Sequence, residues 1–216
     1  MKRIAIFIDG NNFYFGLKKI YPDEKSFINF NFERFCNFLT GKNELVAIFY
    51  YNSPLDRTRD LEKYKNQQKF FEKIKKIPKF NLILCKLLKR RIRGTNEYYY
   101  VLKEDDIHMA VDLVKGAFKN NYDKAILVSG DGDFVPAVLA AKEEGKFIEN
   151  VYFKKSASTN LKINCDRSFD KPKKEKQNNS RPRQDFFFFK KRSKKADGQP
   201  LTILKESYCF PTHQGF

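Results

Sequence analysis

The chain has 216 residues, of which 41% are hydrophobic and 32% are charged, so it is long enough to form a domain with its own core. Lys and Arg outnumber Asp and Glu by 43 to 26, and this net charge of +17 favours a polyanionic partner, nucleic acid above all. No apolar run is long enough for a membrane span, and four scattered cysteines with two histidines exclude a Cys/His zinc site.

The hydrophobic pattern predicts alternating strands and helices. Short continuous apolar runs are typical of strands buried on both faces, and apolar residues spaced three or four apart are typical of helices. In chain order we predict strand 3–8, helices 13–20 and 32–39, strand 45–51, helix 55–77, strands 81–88 and 97–102, helix 105–118, strand 124–129, helix 134–144, strand 146–153 and helix 158–169. This order predicts an α/β fold with a mostly parallel central sheet.

The composition changes near residue 170. Residues 1–170 carry 31 basic and 22 acidic side chains, whereas residues 171–216 carry 12 basic and 4 acidic side chains. Apart from four consecutive phenylalanines at 186–189, the second segment shows almost no apolar spacing. We therefore predict one domain over 1–170 and a basic, disordered C-terminal tail over 171–216. An excess of lysine that merely keeps the protein soluble is the alternative explanation of the charge.

Acidic residues follow the predicted strands. Asp9 ends the first strand, Asp131 and Asp133 follow strand 124–129, and Asp105 and Asp106 open the helix after strand 97–102. Ligands of parallel α/β sheets bind at the carboxyl ends of the strands. If the first strand and strand 124–129 are neighbours, these carboxylates converge on one small region.

Converging carboxylates repel one another unless a cation lies between them, and Mg²⁺ or Mn²⁺ prefers such oxygen ligands. A basic protein with an acidic, metal-binding pocket fits phosphodiester hydrolysis. Each acid alone also has a structural explanation, as a turn residue or as a helix cap. The prediction of a site therefore depends on their joint placement.

A second group of residues is basic. Lys89, Arg90, Arg91 and Arg93 lie on a predicted connection between two strands, and three tyrosines follow at 98–100. Arginine suits phosphate oxygens and tyrosine can stack on unpaired bases, so we expect these residues to bind substrate. A solvated loop beside buried tyrosines is the alternative.

Three segments together resemble the ordered motifs of the NYN domain, the PIN-like nuclease family that includes the LabA/DUF88 proteins. They are FIDGNN at 7–12, KEDD at 103–106 leading into AVD at 110–112, and VSGDGDFVP at 128–136. Residues 161–169 are similar to the last helix of that family. The resemblance implies a Rossmann-like PIN fold with helices on both faces of the sheet, and a metal-dependent ribonuclease activity.

The resemblance also implies roles for individual residues. Asp9, Asp106, Asp131 and Asp133 match the acids expected to bind Mg²⁺ or Mn²⁺ and to act in catalysis. Asn12 matches a residue that positions metal or phosphate, and we group Ser129 of the third motif with it as substrate-binding. The family commonly has Gly-Val before its helix acid, where this chain has Glu104-Asp105, so either Asp105 or Asp106 is the ligand.

We thus expect a metal-dependent endoribonuclease acting on single-stranded or structured RNA. A non-catalytic RNA-binding regulatory module of the same fold is the alternative. A third and weaker hypothesis is an enzyme that acts on small phosphate esters and binds its metal with Asp131 and Asp133. The continuous apolar run before Asp9 has only five residues, 4–8, too few for a signal peptide, so we expect a cytoplasmic protein without membrane contact. The sequence leaves a homo-oligomeric state open.

Overall fold

The computed structural model describes residues 1–20, 30–153 and 157–170. The predicted basic tail, 171–216, lies outside the described residues. The strands are β1 (Arg3–Asp9), β2 (Glu44–Asn52), β3 (Phe80–Leu84), β4 (Lys86–Arg91), β5 (Tyr98–Lys103), β6 (Lys124–Val128), β7 (Phe147–Tyr152) and β8 (Arg167–Asp170). The described helices are α1 (Gly10–Lys18), α2 (Phe32–Thr40), α3 (Leu61–Ile74), α4 (Asp105–Phe118), α5 (Val135–Glu143) and α6 (Thr159–Asn164).

Six strands form the central sheet in the order β3-β2-β1-β6-β7-β8, and every neighbouring pair is parallel. Strands β4 and β5 form a separate antiparallel pair. The predicted α/β fold with a mostly parallel sheet is therefore confirmed. Among the described residues, no helix combines the length and the apolar character needed to cross a bilayer.

The centre of the sheet is buried on both faces. Ile4, Ile6 and Ile8 of β1 belong to a core cluster that also contains residues of α1, α2 and α3. Ala5 and Phe7 belong to a second cluster, formed with residues of α4, α5 and α6. Successive side chains of a strand point to opposite faces, so the continuous apolar run of β1 serves two cores.

Strand order reverses at β1. The chain places β2 and β3 on one side of β1, and β6, β7 and β8 on the other. Such a topological switch point is where open parallel sheets bind their ligands, outside the carboxyl ends of the strands. The ends of β1 and β6 are therefore the first place to look for a site.

The predicted helix over 158–169 is wrong in its second half. Helix α6 ends at Asn164, and Arg167–Asp170 form β8 instead. The backbone of Cys165 is extended, and Asp166 exchanges hydrogen bonds with Ile148 of β7 through its amide and its carboxylate. These contacts attach the chain to the sheet edge, which helical spacing in the sequence does not reveal.

Two other elements also differ from the prediction. The apolar run 81–88 is divided between β3 and β4, which belong to different sheets. Cys85 lies between them, and its amide still donates to the carbonyl of Asn52 on β2. Helix α3 starts at Leu61 rather than at 55, because the Asp60 carboxylate accepts from the amide of Lys63 and caps the helix there.

Candidate functional site

An open pocket of about 250 Å³ lies at the switch point. Nine residues from α1, α4 and the ends of β1 and β6 line it, namely Asp9, Asn11, Asn12, Phe15, Gly16, Lys19, Asp105, Asp106 and Asp131. Since a liquid water takes about 30 Å³, the pocket has room for a hydrated ion together with a phosphate group. The structure thus brings together Asp9, Asn12, Asp106 and Asp131 of the residues predicted from the sequence.

Asp9 is the most buried acid of the pocket, with 8% of its surface exposed. It ends β1 and caps α1, because its Oδ1 accepts from the amide of Asn12 at 2.9 Å. Its Oδ2 accepts from the Ser129 hydroxyl at 2.9 Å. Burial raises the pKa of Asp9 to about 6; the two hydrogen bonds oppose this shift, and the charges of Asp105 and Asp131 add to it.

Hydrogen bonds connect the loop after β6 to the end of β1 and the start of α1. Ser129 Oγ accepts from the amide of Asp131 at 3.1 Å, and Asn12 Oδ1 accepts from the amide of Gly130 at 3.2 Å. Asp131 Oδ1 in turn accepts from the amide of Asp133 at 3.0 Å. Asn12 and Ser129 therefore position the acidic residues of the pocket, in addition to any contact they make with substrate.

Gly10, the first residue of α1, allows this close approach. A Cβ at Gly10 would collide with the carbonyl oxygen of Tyr51 and with the side chains of Tyr50 and Asn52 at the end of β2. Only a glycine lets α1 begin directly against β2, and α1 supplies Asn12 to the pocket.

The first turn of α4 supplies two acids, Asp105 and Asp106, and both line the pocket. The preceding residue, Glu104, has a left-handed backbone with φ 77°. Asp106 is exposed on one side, yet its pKa is raised to about 7. Partial desolvation is the largest cause, followed by the charges of Asp105 and Asp9 and then those of the two acids after β6.

Asp133, the fourth predicted acid, does not line the pocket, and neither does Asp112, which the sequence did not assign to the site. Asp133 is exposed on the short 3₁₀ turn Gly132–Phe134. It contacts the site through its amide, which donates to Asp131, and its charge acts on Asp106. Asp112 accepts from the Tyr51 hydroxyl at 3.0 Å, so it is a paired carboxylate.

Three of the four predicted basic residues lie on a strand rather than in a loop. Lys89, Arg90 and Arg91 belong to β4, and Arg93 lies in the turn that leads to β5. All four side chains are exposed. They form no part of the pocket lining.

Phe15 and Gly16 of α1, and Lys19 directly after its end, also line the pocket, although the sequence did not single them out. Their spacing from Asn12, three, four and seven residues, places all four on one face of a helix. That spacing, read together with Asp9 as a helix cap, is the signal that could have identified them. Lys19 puts one positive charge beside the acids.

The donor set fits Mg²⁺ or Mn²⁺. Asp9, Asp105, Asp106 and Asp131 offer carboxylate oxygens around one pocket, and their mutual repulsion and desolvation raise the pKa of two of them. Across the described ranges, no three Asp, Glu, His or Cys side chains already lie close enough to form a metal-binding group. Without a cation, like charges keep carboxylates apart. A bound ion would remove that repulsion.

Comparisons with known proteins agree with this geometry. The profile of the NYN domain family matches residues 3–171. The low amplitude and bright protein LabA of Synechococcus elongatus is 29% identical over 146 residues, which cover 65% of this chain and 69% of the relative. A crystal structure of a protein of unknown function from Vibrio parahaemolyticus has a TM-score of 0.59 and 23% identity, and the match covers 78% of this chain and 92% of that chain. This structural likeness supports the fold alone.

Proposed function

Because the chain belongs to the NYN domain family, we propose that it is a metal-dependent endoribonuclease that hydrolyses RNA phosphodiester bonds with Mg²⁺ or Mn²⁺. One observation carries the proposal: Asp9, Asp106 and Asp131, from three different elements, line one pocket at the switch point of the sheet. The net charge of +17 favours a polyanionic substrate for that pocket.

The residues of the pocket divide into two groups. Asp9, Asp106 and Asp131 would hold the cation, together with Asp105, which lines the same wall. When bound, Mg²⁺ or Mn²⁺ would make water a stronger nucleophile and offset the charge that builds on the scissile phosphate. Hydrolysis adds the water oxygen to phosphorus and breaks the bond to O3′, which leaves as a hydroxyl.

Two side chains are suited to the substrate. Lys19 lines the pocket and can pair with a phosphate oxygen. Asn12 uses its Oδ1 to accept from Gly130, which leaves its amide NH₂ to donate to the same phosphate. Ser129, hydrogen-bonded to Asp9, would orient that carboxylate rather than contact the RNA.

The proposal is tested by incubating the full chain with RNA and with DNA of matched sequence, in Mg²⁺, in Mn²⁺ and in EDTA. We expect metal-dependent cleavage of RNA that Asp9→Asn and Asp131→Asn abolish. Asp112→Asn is the matched control, because Asp112 is paired with Tyr51 and does not line the pocket. Equal cleavage by wild type, Asp9→Asn and Asp131→Asn would contradict the proposal and would point to a contaminating nuclease.

A non-catalytic RNA-binding module is the second candidate. The observation that favours it is that the four predicted basic residues, Lys89, Arg90, Arg91 and Arg93, are exposed and lie outside the pocket lining, where they could bind RNA without cleaving it. Binding of RNA in EDTA, combined with no cleavage in either metal, would establish this candidate and reject the first.

A further inference from the structure

The β4–β5 arm, residues 86–103, is a two-stranded sheet apart from the central one. It carries six basic side chains and one acidic one, Glu97. Residues 88–99 are all exposed. The register pairs Lys89 with Tyr100, Arg90 with Tyr99 and Arg91 with Tyr98. Since directly opposite residues share a face, the arm presents two faces with similar cation and tyrosine content.

One face of the arm, which we call the inner face, contains Lys89, Arg91, Tyr98 and Tyr100. These side chains already have partners. The Tyr100 hydroxyl donates to Asp56 at 2.7 Å, and the Arg59 guanidinium lies over the Tyr100 ring. The Lys89 ammonium lies 4.4 Å from the centre of the Tyr98 ring. Arg91 is bound by the turn, where its side chain donates to Thr95 and Asn96. The inner face therefore holds the arm in shape and against the loop that carries Asp56.

The opposite face, which we call the outer face, contains Lys86, Leu88, Arg90, Tyr99 and Lys103. Most of its side chains lack such partners. Among the described residues, Arg90, Tyr99 and Lys103 have no side-chain hydrogen bond, ion pair or ring contact, and all three are exposed. Leu88 is exposed between them, with 39% of its surface accessible. A basic face with an available aromatic ring suits a polyanion that also has flat apolar groups, which describes an unpaired nucleic acid strand.

The outer face leads to the pocket. Lys86, at the base of the arm, forms an ion pair of 3.0 Å with Glu104, the residue directly before the pocket acid Asp105. The thiol of Cys85, next to Lys86, has its pKa raised to about 11 by burial and then by the charges of nearby acids, Asp105 first. The base of the arm and the acidic wall of the pocket are therefore immediate neighbours.

We propose that the outer face of the β4–β5 arm binds single-stranded RNA and directs it into the pocket. Arg90 and Lys103 pair with phosphates, and the ring of Tyr99 stacks on an unpaired base. The choice of RNA rests on the proposed function, whereas the arm's preference for an unpaired strand rests on the exposed ring. A duplex, whose bases are already stacked, offers Tyr99 no partner.

The test compares two matched double variants. Arg90→Gln with Tyr99→Ala alters the outer face, and Arg91→Gln with Tyr98→Ala makes the same chemical changes on the inner face. Binding of a labelled single-stranded oligouridylate and of an RNA duplex is measured by fluorescence anisotropy in EDTA, at several salt concentrations. All proteins carry Asp131→Asn, so the readout is independent of cleavage and of whether the protein is a nuclease.

We expect the outer-face variant to bind the single strand about tenfold more weakly, the effect of one stacked base and one phosphate pairing. The dependence of log Kd on log salt should flatten by about 0.7, because the variant pairs with one phosphate fewer. The affinity of the inner-face variant for the single strand should fall by less than about threefold. The outer-face variant should lose less affinity for the duplex than for the single strand, because the duplex loses only the phosphate pairing of Arg90. Equal decreases in the two variants, an unchanged affinity of the outer-face variant, or equal decreases for strand and duplex would each overturn the proposal. Far-ultraviolet circular dichroism and thermal unfolding verify that both variants are folded.

Discussion

Ser129 Oγ donates a hydrogen bond of 2.9 Å to Asp9 Oδ2, and both residues are buried. The contact joins the ends of β1 and β6, two neighbouring parallel strands, across the point where strand order reverses. The same Ser129 oxygen accepts from the amide of Asp131. One hydroxyl group thus fixes the relative position of two acids of the pocket.

Ser129→Ala should lower the free energy of unfolding by about 1–3 kcal/mol, the cost of leaving buried polar groups without a partner. It removes a donor from Asp9 and an acceptor from the Asp131 amide. Urea denaturation measures the change. Ser53→Ala is the matched control, because Ser53 Oγ is buried and has no hydrogen-bond partner in the described structure. Because it removes an unpaired buried hydroxyl, it should leave the free energy of unfolding unchanged or raise it. Equal destabilisation by the two substitutions would contradict this account.

The raised pKa values of Asp9 and Asp106 predict an unusual pH dependence of the stability in EDTA. Their pKa values are raised to about 6 and about 7 from an ordinary value of 3.8, so the folded state binds more protons than the unfolded state between about pH 4 and pH 7. Stability must therefore fall as pH rises through this range, and level off above it. Thermal unfolding at a series of pH values measures the decline. Asp9→Asn should reduce the decline and raise the melting temperature at pH 8.

Mg²⁺ or Mn²⁺ should reverse that decline at pH 8, since a cation bound to the folded state stabilises it and offsets the repulsion among the acids. We expect the melting temperature of the wild type to rise with metal concentration, and that of Asp131→Asn to rise less. Asp123→Asn is a control for charge alone, because Asp123 lies outside the pocket and is paired with Arg3. An identical metal response in wild type and Asp131→Asn would place the bound ion elsewhere.

The sequence was sufficient to predict the central strands of the sheet and to place several acids at their carboxyl ends. The continuous apolar runs of β1, β2 and β6 predict strands buried on both faces, and the structure has those strands. Asp9 and Asp131 could be placed together because parallel strands end at one edge. What the sequence could not decide was which face of the first turn of α4 points inward, and both Asp105 and Asp106 line the pocket.

The remaining differences arise from contacts between distant residues. Strand β8 exists because Asp166 pairs with Ile148 on the sheet edge, eighteen residues away in the chain. The separation of β3 from β4 depends on the amide of Cys85, which donates to Asn52. Local periodicity contains no signal for either pairing, since both depend on where another strand lies.

The backbone conformation of Glu104 predicts that glycine is more stable than alanine at this position. Its left-handed φ of 77° costs a residue with a Cβ about 1–2 kcal/mol, whereas glycine adopts it freely. Glu104→Ala keeps the strained backbone and also removes the exposed ion pair with Lys86. We therefore expect Glu104→Gly to be more stable than Glu104→Ala by about 1 kcal/mol in urea denaturation. A less stable Glu104→Gly would mean that the backbone there is not strained.

Removal of residues 171–216 tests the predicted tail. We expect the shortened chain to fold and to retain metal-dependent cleavage of short RNA, because the residues that line the pocket all precede 171. The apparent KM for long RNA should rise, most of all at low salt, since a Debye length of about 30 Å at 0.01 M leaves the tail charges unscreened. Steady-state kinetics at low and high salt measure this. Loss of folding, or of cleavage of short RNA, would show that the domain extends past residue 170.

The direction of β8 has a consequence for those last residues. Because β8 runs parallel to β7, β6 and β1, Asp170 ends its strand at the same edge of the sheet as Asp9. Two strand spacings, about 10 Å, separate β8 from β6. The segment after Asp170, with 12 basic and 4 acidic side chains, therefore begins at the edge of the sheet that holds the pocket. Any RNA that it captures is held at a high effective concentration next to the acids, whatever the bulk concentration of RNA.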